Sequence, residues 1–176
     1  MIYYRNLFVE DINRHLFENF IRRQIVTKCW RKEEGKWVLR DAPFIDDWSE
    51  KDYQVLLDHL KKVLLSGGFV YAAFSHEKLK GFVSVDAERL GNCREYLDLT
   101  NIHVSEDMRR KGIGKVLFLA AAEWARGKGA EKLYLSAHSA EESQTFYRSM
   151  GCTEAKTYMR KHVEEEPFDC QLEYQL

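Results

Sequence analysis

NIHVSEDMRRKGIGKVL, residues 101–117, decides how the chain is read. Its centre is RRKGIGK (109–115), where two arginines and a lysine run into Gly112, one apolar residue, Gly114 and another lysine. The apolar run VLFLAAAEWA (116–125) follows with helical composition. Positive charge and missing side chains therefore sit at the start of a helix. The first amides of a helix have no internal acceptors, and the helix dipole is positive there. Glycines let an anion reach the bare backbone, so the pattern reads as an anion cradle. The competing reading is a solvated basic turn. Two phosphate motifs fail on spacing. GxxxxGK[ST] would need glycine at Arg109 and a hydroxyl at Val116. GxGxxG would need a third glycine at Leu117. What remains is RxxGxG between a strand and a helix.

The preceding strand, YLDLTNIHV (96–104), carries a change of phase. Leu97 and Leu99 are odd-numbered, whereas Ile102 and Val104 are even-numbered. One buried face cannot survive that change, and a β-bulge near Thr100–Asn101 resolves it. A bulge splays the strand from its neighbour and frees backbone groups just before the basic turn. An extended ligand carrying amides can pair with them.

Outward from this centre, the periodicity predicts an α/β fold in one domain, residues 1–176, with a mixed twisted sheet flanked by helices. Residues 8–29 read as a helix on Phe8, Ile12, Leu16, Phe20 and Ile21, and 30–48 as irregular. Ser49 with Asp52 reads as a capping box opening a helix that Ser66-Gly67-Gly68 stops. Strands are predicted at 69–75 and 79–88, joined by His76-Glu77-Lys78, then at 96–104, 132–138 and 168–176. Helices are predicted at 113–127 and 140–150. In the last strand Phe168, Cys170, Leu172, Tyr174 and Leu176 face one way, and Asp169, Gln171, Glu173 and Gln175 the other.

Composition narrows the function classes. With 45% hydrophobic and 31% charged residues and a net charge of -1, the chain is globular, and nothing global favours nucleic acid or an anionic membrane. No apolar run approaches a membrane span, and the N-terminus lacks the apolar core of a signal peptide. The four cysteines, Cys29, Cys93, Cys152 and Cys170, form no CxxC pair. They read as reduced, packed thiols of a cytoplasmic protein, and no metal site is expected.

A bulged strand, RxxGxG, an amphipathic helix, a strand, and a helix carrying Phe146-Tyr147 before Gly151 resemble the GNAT superfamily of acyl-CoA N-acyltransferases. The similarity is best over roughly 69–152 and weak over the N-terminal part. It implies acetyl-CoA as cofactor. Ile102, His103 and Val104 would lie beside pantetheine. Arg110, Lys111, Gly112, Ile113, Gly114 and Lys115 would surround the diphosphate, with Arg109 opening the motif. Ala140 stands where the family often has Asn. The adjacent Ser139 is expected to replace that hydrogen bond to the cofactor, or to cap the helix in a box with Glu142. Family members are often dimers, and the alternating C-terminal strand could serve as the contact.

Acyl transfer to an amine requires that the ammonium lose a proton and the leaving thiolate gain one. Some members of the family that the chain resembles place a catalytic Glu eleven residues before the motif. Asp98 stands at that spacing from Arg109, so the resemblance makes it the candidate base, directly or through water, with Glu88 and Asp86 as the other carboxylates in reach. Tyr147 is the candidate acid, at the position where the family has a tyrosine that donates to the coenzyme sulfur. His103 and His138 read as satisfied polar residues. The acidic stretches Asp41, Asp46, Asp47 with Trp48, and Glu164, Glu165, Glu166, suit a cationic acceptor: a polyamine, an aminosugar antibiotic or a peptide N-terminus. The alternative is a module that senses acyl-CoA without turnover.

Overall fold

The structure, a computed structural model, describes residues 1–176. In chain order it runs β1 (Ile2–Asn6), β2 (Gln24–Glu33), β3 (Lys36–Asp46), α1 (Glu50–Leu65), β4 (Phe69–Ser75), β5 (Lys78–Leu90) and β6 (Tyr96–Val104). It continues with α2 (Ile113–Gly127), β7 (Lys132–Ala137), α3 (Glu141–Ser149), β8 (Thr153–Glu154), α4 (Arg160–Glu165) and β9 (Cys170–Gln175). Seven strands form one mixed sheet in the order β1-β4-β5-β6-β7-β9-β8, and β2 and β3 form a separate hairpin. The predicted fold class, the bulged strand and α2 are all present. No helix is long and apolar enough to cross a membrane.

Alternation along the strands makes two cores. Val83, Val85, Leu97 and Leu99 meet Leu117, Phe118 and Ala121 of α2 on one face. Val70, Ala72, Phe74 and Phe82 meet Leu56, Leu57 and Leu60 of α1 on the other. Leu117 and Phe118 are fully buried, each contributing about 2–3 kcal/mol. Gly81 of β5 sets how closely α2 lies: a Cβ there would sit 2.9 Å from Ile113 Cγ2 and 3.0 Å from Leu117 Cδ1.

The bulge falls where the phase change places it. Ser84 pairs with Asn101 and Val85 with Leu99, so Thr100 is the extra residue. Beyond it β6 parts from β7. Their parallel pairing covers only Tyr96, Leu97 and Asp98 against Lys132, Leu133 and Tyr134. The following residues of β6 therefore present a bare edge towards β7.

The first 48 residues correct the sequence reading. Residues 8–29 are not one helix but two short 3-10 turns, Val9–Asp11 and Arg14–Phe17, followed by β2. Asp11 accepts the Phe8 amide and Asn13 the Leu16 amide, and such side-chain bonds interrupt a helix. The expected irregular stretch is instead β3 and half of the hairpin, turned at Glu34 and Gly35, both at positive φ. The Ser49–Asp52 capping box is present. Cys29, Cys152 and Cys170 are buried as expected, but Cys93 is exposed in the loop before β6. The polar face of β9 is not a solvent face: Gln171 and Glu173 are buried. Tyr96 and Lys132 donate to Glu173, and Tyr134 to Gln171. Nor is β9 a free edge for a second copy, because β8 pairs with it at Leu172 and Glu173.

Candidate active site

A cleft of about 1440 Å³ opens where β6 and β7 diverge. Its walls include the β6 edge from Leu99 to Val104, the turn before α2, one side of α3, and Asp169 at the start of β9. The turn is shaped by two left-handed residues, Arg110 (φ 61) and Gly112 (φ 80). Gly112 is the N-cap of α2, and a Cβ on it would meet nothing within 4 Å. Its conformation favours glycine, while the space above it is open. The first helical hydrogen bond runs from the Val116 amide to the Gly112 carbonyl, so the amides of Ile113, Gly114 and Lys115 have no acceptor within the helix. Bare strand edge, open N-cap and unpaired amides form one continuous cradle. They fit an extended ligand with amides at one end and a diphosphate at the other.

The basic residues divide into two sets. Arg110 and Lys115 line the cleft. Arg109 lines it too, but its guanidinium is turned to the protein, donating to the carbonyls of Val104 and Arg22 at 3.2 Å each. It ties the turn to β6 and to the N-terminal segment. Lys111 does not line the cleft; its Nζ folds back on the Asp107 carbonyl and the Met108 sulfur. Gly114 serves packing, since its Cβ would lie 3.3 Å from Phe146 Cε2 of α3. Ile102, His103 and Val104 all line the cleft. His103 packs edge-on against Trp48 at 4.8 Å, and burial, helped by Arg22 and Arg109, pushes its pKa well below the usual imidazole range. It is a neutral wall.

Ser139 corrects the capping expectation. Ala140 is the N-cap of α3 and makes no side-chain cap bond. Ser139 is buried away from the cleft, and its Oγ accepts from Arg31 of β2 at 2.7 Å. The hairpin that the sequence reading left irregular occupies the hydroxyl. His138 caps instead: its Nδ1 accepts the Ala140 amide at 3.0 Å.

Tyr147 lies on the α3 wall of the cleft. Burial, reinforced by Cys152 and Asp169, pushes its phenol pKa up, so it remains a proton donor at neutral pH. Asp98 does not line the cleft. It lies on the other face of the sheet from α2, just short of the cleft wall, with Oδ2 2.6 Å from His162 Nε2 of α4. Its Oδ1 is buried without a partner. Asp86 is half-buried with Oδ1 taken by the Ala87 amide, and Glu88 is exposed; neither reaches the cleft.

Five carboxylates do reach it: Glu141 and Glu142 at the start of α3, and Asp46, Glu166 and Asp169. Asp46 pairs with Arg22 at 2.8 Å and lies 3.9 Å from His138. Asp169 accepts from Ser136 at 3.0 Å, and burial raises its pKa, as burial and Asp169 raise that of Glu166. Of the two acidic stretches singled out in the sequence, Asp46 and Glu166 reach the cleft; Asp41, Asp47, Glu164 and Glu165 do not. Asp169 was read only as one of the polar alternates of β9. The alternation of β7 gives the missing signal: Ser136 shares its face, and the two strands pair antiparallel.

A model of the acetyltransferase (GNAT) family matches residues 29–152. The chain belongs to that family. Among solved structures, this acetyltransferase resembles a nourseothricin acetyltransferase, with TM-score 0.71 and 18% identity over 99% of this chain and 98% of the other. A Bacillus anthracis protein described as a streptothricin acetyltransferase, solved in complex with acetyl coenzyme A, gives 0.74 and 16% over 100% and 99%. The PaiA N-acetyltransferase of Thermoplasma acidophilum, in complex with coenzyme A, gives 0.63 and 17% over 100% and 99%. At these identities the likeness concerns the fold. No curated protein matches the sequence.

Proposed function

We propose that this acetyltransferase moves the acetyl group of acetyl-CoA to a primary amine of a cationic small molecule. The observation that carries the reading is the continuous cradle: the bare β6 edge past Thr100 leads directly to the open N-cap at Gly112. In this reading the β6 backbone at Ile102–Val104 holds the pantetheine amides. The amides of Ile113–Lys115, with the side chains of Arg110 and Lys115, hold the diphosphate. Tyr147 donates its phenolic proton to the departing sulfur. Asp46, Glu166 and Asp169 face the acceptor, and their charge selects cations and rejects anions. Two structural relatives are named for nourseothricin and for streptothricin as acetyl acceptors, which agrees with a small-molecule acceptor. Asp98, tied to His162, acts on its neighbours and not on the amine directly.

Thermal shift with coenzyme A tests the cradle, and a clear rise in melting temperature at millimolar ligand is expected. Absence of any shift contradicts it. Thiol release from acetyl-CoA with a panel of amines then tests turnover. Spermidine and nourseothricin are expected to be accepted, and glutamate rejected.

A further inference from the structure

Behind the bulge lies a hydrogen-bond chain that cofactor binding alone does not explain. Thr100, the residue the bulge expels from the ladder, lines the cleft. Its Oγ1 lies 2.8 Å from Ser84 Oγ and 3.0 Å from His59 Nε2. Asn101 Nδ2 donates to Ser84 Oγ at 2.9 Å. An amide NH₂ only donates, so Ser84 receives there and its own hydrogen is free to point to Thr100. The Thr100 hydroxyl then has one short acceptor left, His59 Nε2, since the Ser84 carbonyl is 3.5 Å away. With the chain running in this direction, His59 presents a lone pair at Nε2 and carries its proton on Nδ1.

The surroundings favour that neutral form. His59 is half-buried on α1, and burial lowers its pKa. Asp86 from β5 and Asp98 from β6 pull upward, while Lys62 of its own helix and Lys161 of α4 push down. His162 of α4 binds Asp98 at 2.6 Å and so tempers the second of these carboxylates. The result is a neutral imidazole joined to the cleft by a hydroxyl, at the point where the strand edge opens.

We propose that His59 is the terminal proton acceptor of the transfer reaction, reached from the cleft through the hydroxyl of Thr100. This rests on the acetyl-transfer reading above. The ammonium gives one proton to Thr100 Oγ1 as Thr100 passes its own to His59 Nε2. The freed nitrogen lone pair forms the C–N bond to the thioester carbonyl carbon, the C–S bond breaks, and sulfur keeps the electron pair. Tyr147 protonates that sulfur and is restored by the second proton the nitrogen sheds on becoming an amide. His59 returns its proton to solvent. The products are the acetamide, the free thiol and one proton.

Two measurements on the full chain test this. Imidazole NMR with nitrogen-15 histidine is expected to show His59 protonated at Nδ1 and bare at Nε2. Thr100→Val should shift the Nε2 resonance, and Thr100→Ser should restore it. The pH profile of kcat/KM, followed by thiol release from acetyl-CoA with spermidine and nourseothricin as probe amines, should show an acid limb with its inflection below 6.5. His59→Gln and Thr100→Val should each lose about 100-fold, and His59→Gln should also lose the limb. Thr100→Ser should stay within about tenfold of the parent. A protonated Nε2, a His59→Gln variant that keeps the limb, or loss of the limb in Asp169→Asn instead would overturn the relay alone. Coenzyme A binding with no thiol release from either amine would remove the acetyl-transfer reading, and the relay with it.

Discussion

Replacing Gly112 separates what the backbone needs from what the ligand needs. With φ at +80 and no atom within 4 Å of a built Cβ, Gly112→Ala meets no wall in the protein. Its stability cost is the left-handed strain alone, about 1–2 kcal/mol. Gly112→Glu carries the same strain, so the two variants should unfold in urea within about 0.5 kcal/mol of each other. Their coenzyme affinities should differ much more. A carboxylate about 4 Å from a diphosphate charge is repelled by roughly 4 kcal/mol at an effective dielectric of 20. Salt screening cuts this to about 2 kcal/mol, or roughly 30-fold in Kd beyond the alanine variant. Urea titration of the free protein and calorimetric titration with coenzyme A at two salt concentrations measure both quantities. Equal affinities for coenzyme A in the alanine and glutamate variants would refute the diphosphate assignment, whatever the stability data show.

Tyr147→Phe should lower kcat by about 100-fold while leaving coenzyme A affinity within about twofold, read by steady-state kinetics and calorimetry. Asp169→Asn should raise KM for a polycationic amine about tenfold, with the effect fading at high salt, and leave KM for acetyl-CoA unchanged. Gly81→Ala should destabilise the fold by about 1–3 kcal/mol in urea, because its Cβ meets Ile113 and Leu117 of α2 at 2.9 and 3.0 Å. His162→Gln tests linkage. The Asp98 hydrogen bond raises the His162 pKa above its unfolded value of 6.5. The resulting stability is fully present below that value and is lost as pH rises through the folded pKa. The wild type should exceed the variant in unfolding free energy at pH 5.5 by more than at pH 9.

The cofactor half of the molecule was legible because its signals are local. The phase break at Leu99/Ile102 needs only alternation, and RxxGxG needs only helix-end chemistry. The structure places the bulge at Thr100, where that break falls. The N-terminal half was misread because Phe8, Ile12, Leu16 and Phe20 mimic a helical period, while Asp11 and Asn13 redirect the backbone bonds. A short-range period cannot register that competition. The hairpin of β2 and β3 carries weaker alternation because only Val26 and Cys29 of β2 are buried. Asp98 was drawn to a catalytic role by its spacing from Arg109, yet α4, which no pattern announced, brings His162 to it. Asp169 and His59 were overlooked for the same reason. Each gains meaning only from a distant partner, Ser136 at 33 residues and Thr100 at 41.

The proposed reaction passes acetyl to a cationic amine from a thioester held in the β6–β7 cleft. Its most direct test is thiol release from acetyl-CoA by the purified chain, with spermidine and nourseothricin set against glutamate. Release with the cations, absence of release with glutamate, and collapse of the signal in Gly112→Glu is the predicted result. Tight coenzyme A binding with no thiol released by any amine would contradict it and identify a protein that senses the coenzyme without consuming it.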